Sequence, residues 1–596
     1  MLSDRLTISR KSYHLISGFH FIQRQVPSNT KPGSIIIFIF CLLPYIVFLV
    51  SKVTIMKRRD FITSSTIATA GLSSVLVASC NPADKPVKVE EVSADTVPAF
   101  ELDEESITSL QEKMSAGKYS SEQITKLYLD RIDTIDKKGP MLNSVIEINP
   151  DAMSIARAMD DERKSGKTRG PLHGIPVLIK DNIDTADKMQ TTAGSLALEG
   201  HIATIDSFVA KKLRQAGAVI IGKTNLSEWA NFRSSHSCSG WSSRGGQTKC
   251  PYILDHNPCG SSSGSGTAVA ANLCTVAVGT ETDGSVTCPA SVNGIVGLKP
   301  TVGLVSRSGI IPISSTQDTA GPMGRTVKDV AILLGVMTGI DDPDAVTKES
   351  EGKTYTDYTK FLDANALKGK RIGVDKKPQG DNQYMLALIK KAIELLKQQG
   401  AEITEIEYFD KISKLGDAEF DLMKYEFKEG LNKYLATANA KVKTLKDVID
   451  FNKTNENKAM PYFKQETLEA SDKKDDLSSK GYKEALQKSH VGSKQIIDDV
   501  IKENKLDAIC GLTMGPACSI DVIYGDRWGD VFLTQPAAAA GYPHISVPGG
   551  TVYDLPVGIS FFGPAYSEPV LLSIAYAYEQ ASKNRVPPKF KKAFLT

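Results

Sequence analysis

The chain has 596 residues, of which 41% are hydrophobic and 23% are charged, an ordinary composition for a globular protein. Its formal net charge of +2 gives no electrostatic basis for binding nucleic acid or an acidic membrane surface. The nine cysteines are an odd number without CxxC spacing, so they imply no disulfide framework.

The N-terminus carries targeting patterns that precede any folded domain. Residues 35–50 are almost unbroken apolar sequence, yet shorter than the about 20 residues that span a bilayer. After Met56, an arginine pair and an apolar stretch lead to a Val-Ala-Ser motif that ends at Cys80. This arrangement resembles a twin-arginine signal followed by a bacterial lipobox, and it favours Met56 as the true start.

We therefore divide the first hundred residues into three expected segments. Residues 1–55 are an over-extended N-terminus or a membrane segment, residues 56–80 a lipoprotein signal peptide, and residues 81–99 a flexible tether. Lipidation of Cys80 is expected on this interpretation. It predicts an exported, periplasmic or cell-surface protein that a lipid anchor holds at the membrane.

From residue 100 onward, helical and strand patterns alternate. Apolar residues at helical spacing predict helices in the ranges 106–135, 208–217, 265–273, 383–398 and 568–581. Short β-branched runs predict strands at 174–179, 218–222, 275–279, 371–374, 507–510 and 544–547. This alternation predicts an α/β fold with a mostly parallel or mixed central sheet. Residues 411–495 are rich in lysine and acidic residues at helical spacing, which predicts a helical insertion or cap.

Three sequence blocks carry the material of a hydrolase. A Ser/Gly-rich loop over 259–266 contains Ser261, the block Gly-Thr-Glu-Thr-Asp-Gly-Ser ends at Ser285, and an apolar run ends at Lys180. A serine hydroxyl becomes a useful nucleophile when a neighbouring base takes its proton. Lysine serves as that base only where burial lowers its pKa. The apolar run favours burial, although a lone lysine at a strand end is more readily explained as a surface residue.

In their order along the chain, these blocks and the Gly-Leu-Lys-Pro-Thr block that ends at Thr301 closely resemble the amidase signature family. Further matching blocks lie at 222–228, 541–548 and 555–558, so the resemblance covers about residues 100–596 and is weakest across 340–500. An ordered match of this length is highly specific. It implies the amidase signature fold, a single large α/β/α domain over residues 100–596 with a mixed central sheet flanked by helices.

The resemblance also implies catalytic roles. Ser285 is the nucleophile that forms an acyl-enzyme, Ser261 is a bridging serine held by a non-proline cis peptide bond, and Lys180 is the base. The backbone N–H groups expected to form the oxyanion hole belong to Thr282, Asp283, Gly284 and Ser285. The family pattern implies neither a metal ion nor a cofactor.

Departures from the common family pattern indicate the branch. Cys259, Ser263 and Asp283 replace glycines, and Thr287 stands where members that free ammonia from glutamine have arginine. The Glu-Thr-Asp-Gly-Ser version and the block at 227–233 look most like the bacterial peptide amidases. That branch removes ammonia from C-terminal peptide amides. An amidated peptide is therefore the implied substrate, and a broad small-amide hydrolase is the alternative.

Other classes of protein account for fewer of these residues. The Ser/Gly-rich loop also matches GxSxG, which makes Ser262 a nucleophile with His544 as base in an α/β-hydrolase. That fold requires a strand directly before the serine, and no strand pattern precedes it here. A lipid-anchored binding protein that keeps the fold without activity is a third class, but binding alone would not require Lys180, Ser261 and Ser285 together.

Histidines and cysteines near the loop offer two further interpretations. A zinc site is one of them, but the spacings match no common zinc pattern. The residues concerned are His236, Cys238, Cys250, His256 and Cys259. A Cys250–Cys259 disulfide is an alternative use of two of them.

Overall fold

The computed structural model describes residues 97–594. The expected segments 1–55 and 56–80, with Cys80, and all but the last three residues of the tether 81–99 therefore lie outside the described residues. Within 97–594, no helix has both the length and the apolar character needed to cross a membrane.

An eleven-stranded mixed sheet forms the centre of the described chain. Its strands lie side by side in the order β1-β3-β2-β6-β8-β7-β12-β13-β11-β9-β10, and β4 and β5 pair separately. The bounds are β1 Val145–Ile148, β2 Pro176–Lys180, β3 Val219–Thr224, β4 Trp241–Ser242, β5 Gly246–Gln247, β6 Val276–Glu281, β7 Val296–Lys299, β8 Thr319–Gly324, β9 Arg371–Asp375, β10 Glu402–Ile406, β11 Ala508–Leu512, β12 His544–Val552 and β13 Leu555–Phe562.

Helices cover the sheet and fill the connections. The α-helices are α1 Ile107–Ser115, α2 Ser121–Arg131, α3 Ala152–Lys164, α4 Phe208–Gln215, α5 Ser263–Ala270, α6 Thr287–Val292, α7 Val327–Met337, α8 Gln383–Gln398, α9 Phe409–Ile412, α10 Ala418–Thr437, α11 Leu445–Thr454, α12 Glu456–Ala459, α13 Glu466–Asp472, α14 Lys480–Leu486, α15 Gly492–Asn504, α16 Gln535–Ala540 and α17 Glu568–Ser582. The predicted α/β class with a mixed sheet flanked by helices is confirmed.

The strand arrangement brings the ends of strands β2 and β6 to one edge of the sheet. β2 pairs in parallel with both β3 and β6, and Ile179 lies opposite Val278. Because parallel strands end at the same edge, Lys180 at the end of β2 lies beside Thr280 near the end of β6. Every residue of β2, β3 and β6 is buried, as expected for parallel strands covered on both faces.

Helix α5 packs unusually close to its neighbours because its residues are small and all buried. A Cβ atom on Gly264 would lie 2.2 Å from the carbonyl oxygen of Ser144 and 2.5 Å from that of Asn225. Glycine is therefore required there, and its absence of side chain lets the Ser261 loop lie directly on the sheet edge.

The 411–495 segment is helical in the structure and packs over the loops at this edge. Phe427 and Leu431 of α10 belong to one buried cluster with Trp229, Phe232 and Ile311 of the loops. The segment therefore contacts the part of the molecule where β2 and β6 end. Its role as a cap over a site stays a prediction.

Candidate active site

Lys180 is completely buried and hydrogen-bonded to the first serine loop. Its Nζ donates to Ser261 Oγ at 2.7 Å, to Thr280 Oγ1 at 2.9 Å and to the Thr280 carbonyl oxygen at 3.2 Å. All three acceptors are uncharged. The surface alternative for this lysine is thus wrong, because β2 ends inside the protein rather than at its surface.

The surroundings of Lys180 favour its neutral form. Burial lowers the pKa of Lys180 to about 7, and the charges of Asp318 and Glu281 only partly oppose this effect. The adjacent Asp181 does not pair with it, since strand alternation directs that carboxylate to the other face, where it accepts a hydrogen bond from Thr192. A lysine in this state can accept a proton near neutral pH.

The loop that carries Ser261 is tightly constrained. The Gly260–Ser261 peptide bond is cis, and the carbonyl of Ser261 accepts a hydrogen bond from the N–H of Ser227 at 3.1 Å. A Cβ atom on Gly260 would lie 2.1 Å from Ser227 Oγ, so a side chain has no room there. Ser262 Oγ donates to the Thr280 carbonyl at 3.0 Å and attaches the loop to β6.

Ser285 lies in the turn directly after β6, next to the Ser261 loop. Its carbonyl accepts a hydrogen bond from the N–H of Ser262 at 3.1 Å, and a Cys259–Cys288 disulfide joins the Ser261 loop to helix α6, which follows Ser285. The disulfide alternative Cys250–Cys259 is therefore wrong. Gly284 has a φ of 74°, a left-handed conformation that suits glycine and sharpens the turn before Ser285. Ser285 keeps 7% of its surface exposed.

A buried carboxylate holds the chain on the far side of Ser285. Glu281 accepts hydrogen bonds from the N–H groups of Val286 at 2.7 Å and Thr287 at 2.9 Å, and from the Thr287 hydroxyl at 3.1 Å. The first residues of α6 are thereby attached to the end of β6. Ser285 lies between these two anchored points, which restricts the backbone that carries its hydroxyl.

Three side chains from other segments hold the turn 282–285. Thr282 Oγ1 donates to Asp318 at 2.6 Å, and the Thr282 carbonyl accepts from Gln317 Nε2 at 3.3 Å. The hydroxyl of Thr534 donates to Asp283 at 2.6 Å. Burial raises the pKa of Asp318 to about 6 and that of Asp283 to about 7. Side chains from outside the turn thus hold both the Thr282 and the Asp283 ends of this turn.

A cavity of about 490 Å³ lies beside these groups. Asn182, Thr280, Thr282 and Asp318 contribute to one wall, and helix α10 forms part of another. Asn182 Nδ2 donates to Thr280 Oγ1 at 3.0 Å, so the wall is directly joined to the hydrogen-bond network of Lys180. A cavity of this size accommodates a small organic molecule or a short peptide end.

The structure does not bring together the residues of the two alternative sites, the Ser262–His544 pair and the metal site. His544 Nε2 forms a hydrogen bond with Ser560 Oγ at 2.6 Å, and burial lowers the pKa of His544 to about 3. The Ser262 hydroxyl donates instead to the Thr280 carbonyl. Within 97–594, no group of three histidine, cysteine, aspartate or glutamate side chains is placed to hold a metal ion.

Sequence comparison identifies the family. The amidase family model matches residues 123–572, more than half of the chain. The chain belongs to the amidase family. Among solved structures, the peptide amidase from Stenotrophomonas maltophilia is 47% identical, with a TM-score of 0.79, and the match covers 83% of this chain and all of that one.

Curated relatives agree with this assignment. A probable amidase from Arabidopsis thaliana is 42% identical over 82% of this chain and 92% of its own length. A putative amidase from Schizosaccharomyces pombe is 38% identical over 82% of this chain and 87% of its own length. The predicted family, its peptide amidase branch and the predicted fold are confirmed. The protein is a hydrolase of carbon–nitrogen bonds in amides.

The predicted localisation, an exported, periplasmic or cell-surface, membrane-anchored lipoprotein, is wrong. Three of the curated relatives, each aligned with about four fifths of this chain, are amidases from a plant and two fungi, and bacterial lipobox processing does not operate in those organisms. The prediction depended on an arginine pair, the apolar stretch after it and a motif of four residues that ends at Cys80. Small residues before a cysteine are common, and a match this short carries a high risk of coincidence.

Several residues at this site were absent from the sequence-based prediction. Thr280 and Glu281 lie inside a block that the prediction used, and their polar character beside two glycines was a usable signal. Gln317 and Asp318 had no such signal, because their loop precedes a strand that contains glycine and proline. Thr534 is more than 240 residues from the turn that it contacts, which no local pattern indicates.

Proposed function

We propose that this amidase hydrolyses the C-terminal amides of peptides through an acyl-enzyme on Ser285 and releases ammonia. The observation that carries the proposal is the 2.7 Å hydrogen bond between buried Lys180 and Ser261. A buried lysine bonded to a serine, next to a second serine in a glycine turn, is an arrangement suited to proton relay.

In the first half of the reaction, neutral Lys180 takes the proton of Ser261, which takes the proton of Ser285. The Ser285 oxygen attacks the amide carbon, and the C=O π electrons move to the carbonyl oxygen. The backbone N–H groups proposed to receive this oxyanion are those of Thr282, Asp283, Gly284 and Ser285, and each well-placed donor contributes ~3 kcal/mol.

The intermediate then collapses. The carbon–nitrogen bond breaks, Lys180 returns the proton through Ser261 to the departing nitrogen, and ammonia leaves the acyl-enzyme. Water, deprotonated along the same relay, attacks the ester carbon in the second half and frees Ser285. The relay thus acts as base in each attack and as acid in each departure.

Two features support peptide amides as the substrate. A peptide amidase structure that is 47% identical to this chain contains the competitive inhibitor chymostatin. Thr287, which replaces the arginine of glutamine-handling relatives, is fully buried and bonded to Glu281, so this position offers no positive charge to a substrate carboxylate. A broad small-amide hydrolase is the alternative that the assay must separate.

The test measures ammonia release from C-terminally amidated dipeptides and from simple amides, with the full-length protein and with Ser285→Ala. We expect turnover of the dipeptides that falls by at least about 10³-fold in the variant, because the nucleophile is lost. Ser265→Ala is the matched control, since this buried serine in the same block bonds Thr224 and Val278 instead of a group of the relay. Turnover of simple amides alone would favour a broad small-amide hydrolase over a peptide amidase. Activity in Ser285→Ala would refute the mechanism.

A further inference from the structure

Helix α10 of the 411–495 segment reaches the proposed oxyanion turn through one carboxyl group. Glu419, in the first turn of α10, is 7% exposed and accepts a hydrogen bond from Gln317 Nε2 at 2.7 Å. The same Nε2 donates to the Thr282 carbonyl at 3.3 Å. One amide group therefore joins the helix to the turn before Ser285.

The direction of the Thr282 carbonyl decides where the next N–H points. In a trans peptide unit, the carbonyl and the following N–H point in opposite directions. Gln317 holds the Thr282 carbonyl by this hydrogen bond, so the N–H of Asp283 points away from Gln317. That N–H is one of the donors assigned above to the oxyanion.

Gln317 needs a partner to keep this orientation. A glutamine side chain has three flexible torsions, and a single 3.3 Å hydrogen bond holds it weakly. Glu419 supplies the second, shorter bond, and Gln535 in turn bonds the carboxyl of Glu419. The position of Glu419 itself is fixed by α10, whose Phe427 and Leu431 pack in the buried cluster against the loops.

We propose that Glu419 is a positioning residue for catalysis, which fixes Gln317 and through it directs the N–H of Asp283 into the oxyanion hole. The inference rests on the proposed function. It makes the 411–495 segment part of the catalytic apparatus, because removing Glu419 would leave every residue of the relay in place and misdirect one oxyanion donor.

The test compares kcat and KM of Glu419→Ala, Glu419→Gln and Glu466→Ala, each in the full chain. Loss of one oxyanion donor costs about 10²–10³-fold, so a misdirected donor should lower kcat by about 10–100-fold with KM within about twofold. Glutamine at 419 retains an oxygen that accepts from Gln317 and should restore kcat to within about threefold of the original protein.

Glu466→Ala is the matched control for general loosening of the segment. Glu466 also attaches the segment to the rest of the protein, but through Ser234 and Ser235 instead of the turn. An equal loss of kcat in Glu466→Ala and Glu419→Ala would overturn the inference. Should Glu419→Ala fail to fold, Gln317→Met tests the same link, and unchanged kcat in that variant would overturn it as well.

A second readout separates this inference from the proposed function. When the serine oxygen attacks the phosphorus of an alkyl fluorophosphonate, an O–P bond forms, the P–F bond breaks and fluoride leaves. The phosphoryl oxygen of the adduct then lies where the oxyanion would lie. Labelling at Ser285 that is slowed about 10–100-fold in Glu419→Ala and restored in Glu419→Gln would support the inference. Normal labelling of Glu419→Ala would refute the inference alone, whereas unchanged labelling of Ser285→Ala would refute the proposed function and the inference with it.

Discussion

Replacing Lys180 by methionine should lower the rate of ammonia release by about 10²–10⁴-fold while removing a cost to folding. The side chain is fully buried, and moving its pKa from 10.5 to about 7 corresponds to ~5 kcal/mol of unfavourable free energy for the protonated form. A buried lysine that is not the base, such as Lys223, can carry a similar cost without affecting turnover. The combination of lost activity and changed pH dependence of stability is therefore specific to a lysine that serves as base.

The sign of the pH effect follows from proton counting. Between about pH 7 and pH 10.5 the unfolded chain holds a proton on Lys180 that the folded protein does not, so stability rises with pH in this window. The slope is ~1.4 kcal/mol per pH unit, and it disappears in Lys180→Met. Below about pH 7 the full cost is present, and above pH 10.5 it is absent.

Urea unfolding at pH 7.5 and pH 9.5 measures this difference. We expect the original protein to gain ~3 kcal/mol over Lys180→Met between the two pH values. Its kcat/KM should also rise about tenfold per pH unit below pH 7 and level off above it, because the neutral lysine is the base. Loss of the base should reduce kcat by about 10²–10⁴-fold.

The control is Lys223→Met. Lys223 is also fully buried, burial lowers its pKa, and it donates to the Ile183 carbonyl and to Thr191 rather than to a serine of the site. This variant should keep kcat within about threefold. The reasoning would be refuted if Lys180→Met retained a tenth of the activity, or if its stability followed the same pH dependence as that of the original protein.

Two further substitutions test the surroundings of the serines. Gly264→Ala should lower the free energy of unfolding by about 3 kcal/mol or more in urea unfolding, because its Cβ would lie 2.2 Å from the Ser144 carbonyl. The control is Gly529→Ala, whose Cβ would lie in open space, and its free energy of unfolding should change by less than ~0.5 kcal/mol. Glu281→Gln should lower kcat by about tenfold without changing KM, because an amide oxygen bonds the N–H of Val286 more weakly than a carboxylate does; an unchanged kcat in steady-state assays would contradict this.

The sequence was informative where local pattern and tertiary role agree. Strands β2, β3 and β6 are continuous apolar runs because both their faces are covered, and helix α8 has the bounds that its apolar periodicity predicts. Strand β8 was missed, since Thr-Ala-Gly-Pro-Met-Gly has the composition of a turn and becomes a strand only by pairing with β6 and β7. Tertiary pairing here outweighs local propensity.

The site divides in the same way. Lys180, Ser261 and Ser285 were predicted because each lies in a block of the family pattern, and the structure bonds Lys180 to Ser261 and the backbone of Ser285 to the same loop; their catalytic roles stay a prediction. The sequence did not predict the contact between Gln317 and Glu419, since they are 102 residues apart and neither lies in a block of the family pattern. Contacts of that kind depend on how the 411–495 segment packs, which no local pattern encodes.

The hydrogen bonds of the nearby carboxylates explain how Lys180 avoids a direct ion pair among acidic neighbours. Glu281 is bonded to the N–H groups that follow Ser285, and Asp318 to Thr282 and to the N–H groups of Ile313 and Ser314. Each of these two carboxyl groups therefore holds backbone N–H groups in place, whereas the polar partners of Lys180 are uncharged oxygens. A direct ion pair with either carboxylate would raise the pKa of Lys180 and keep it protonated. The arrangement that holds the serine turn rigid is therefore the same one that leaves the lysine able to accept a proton.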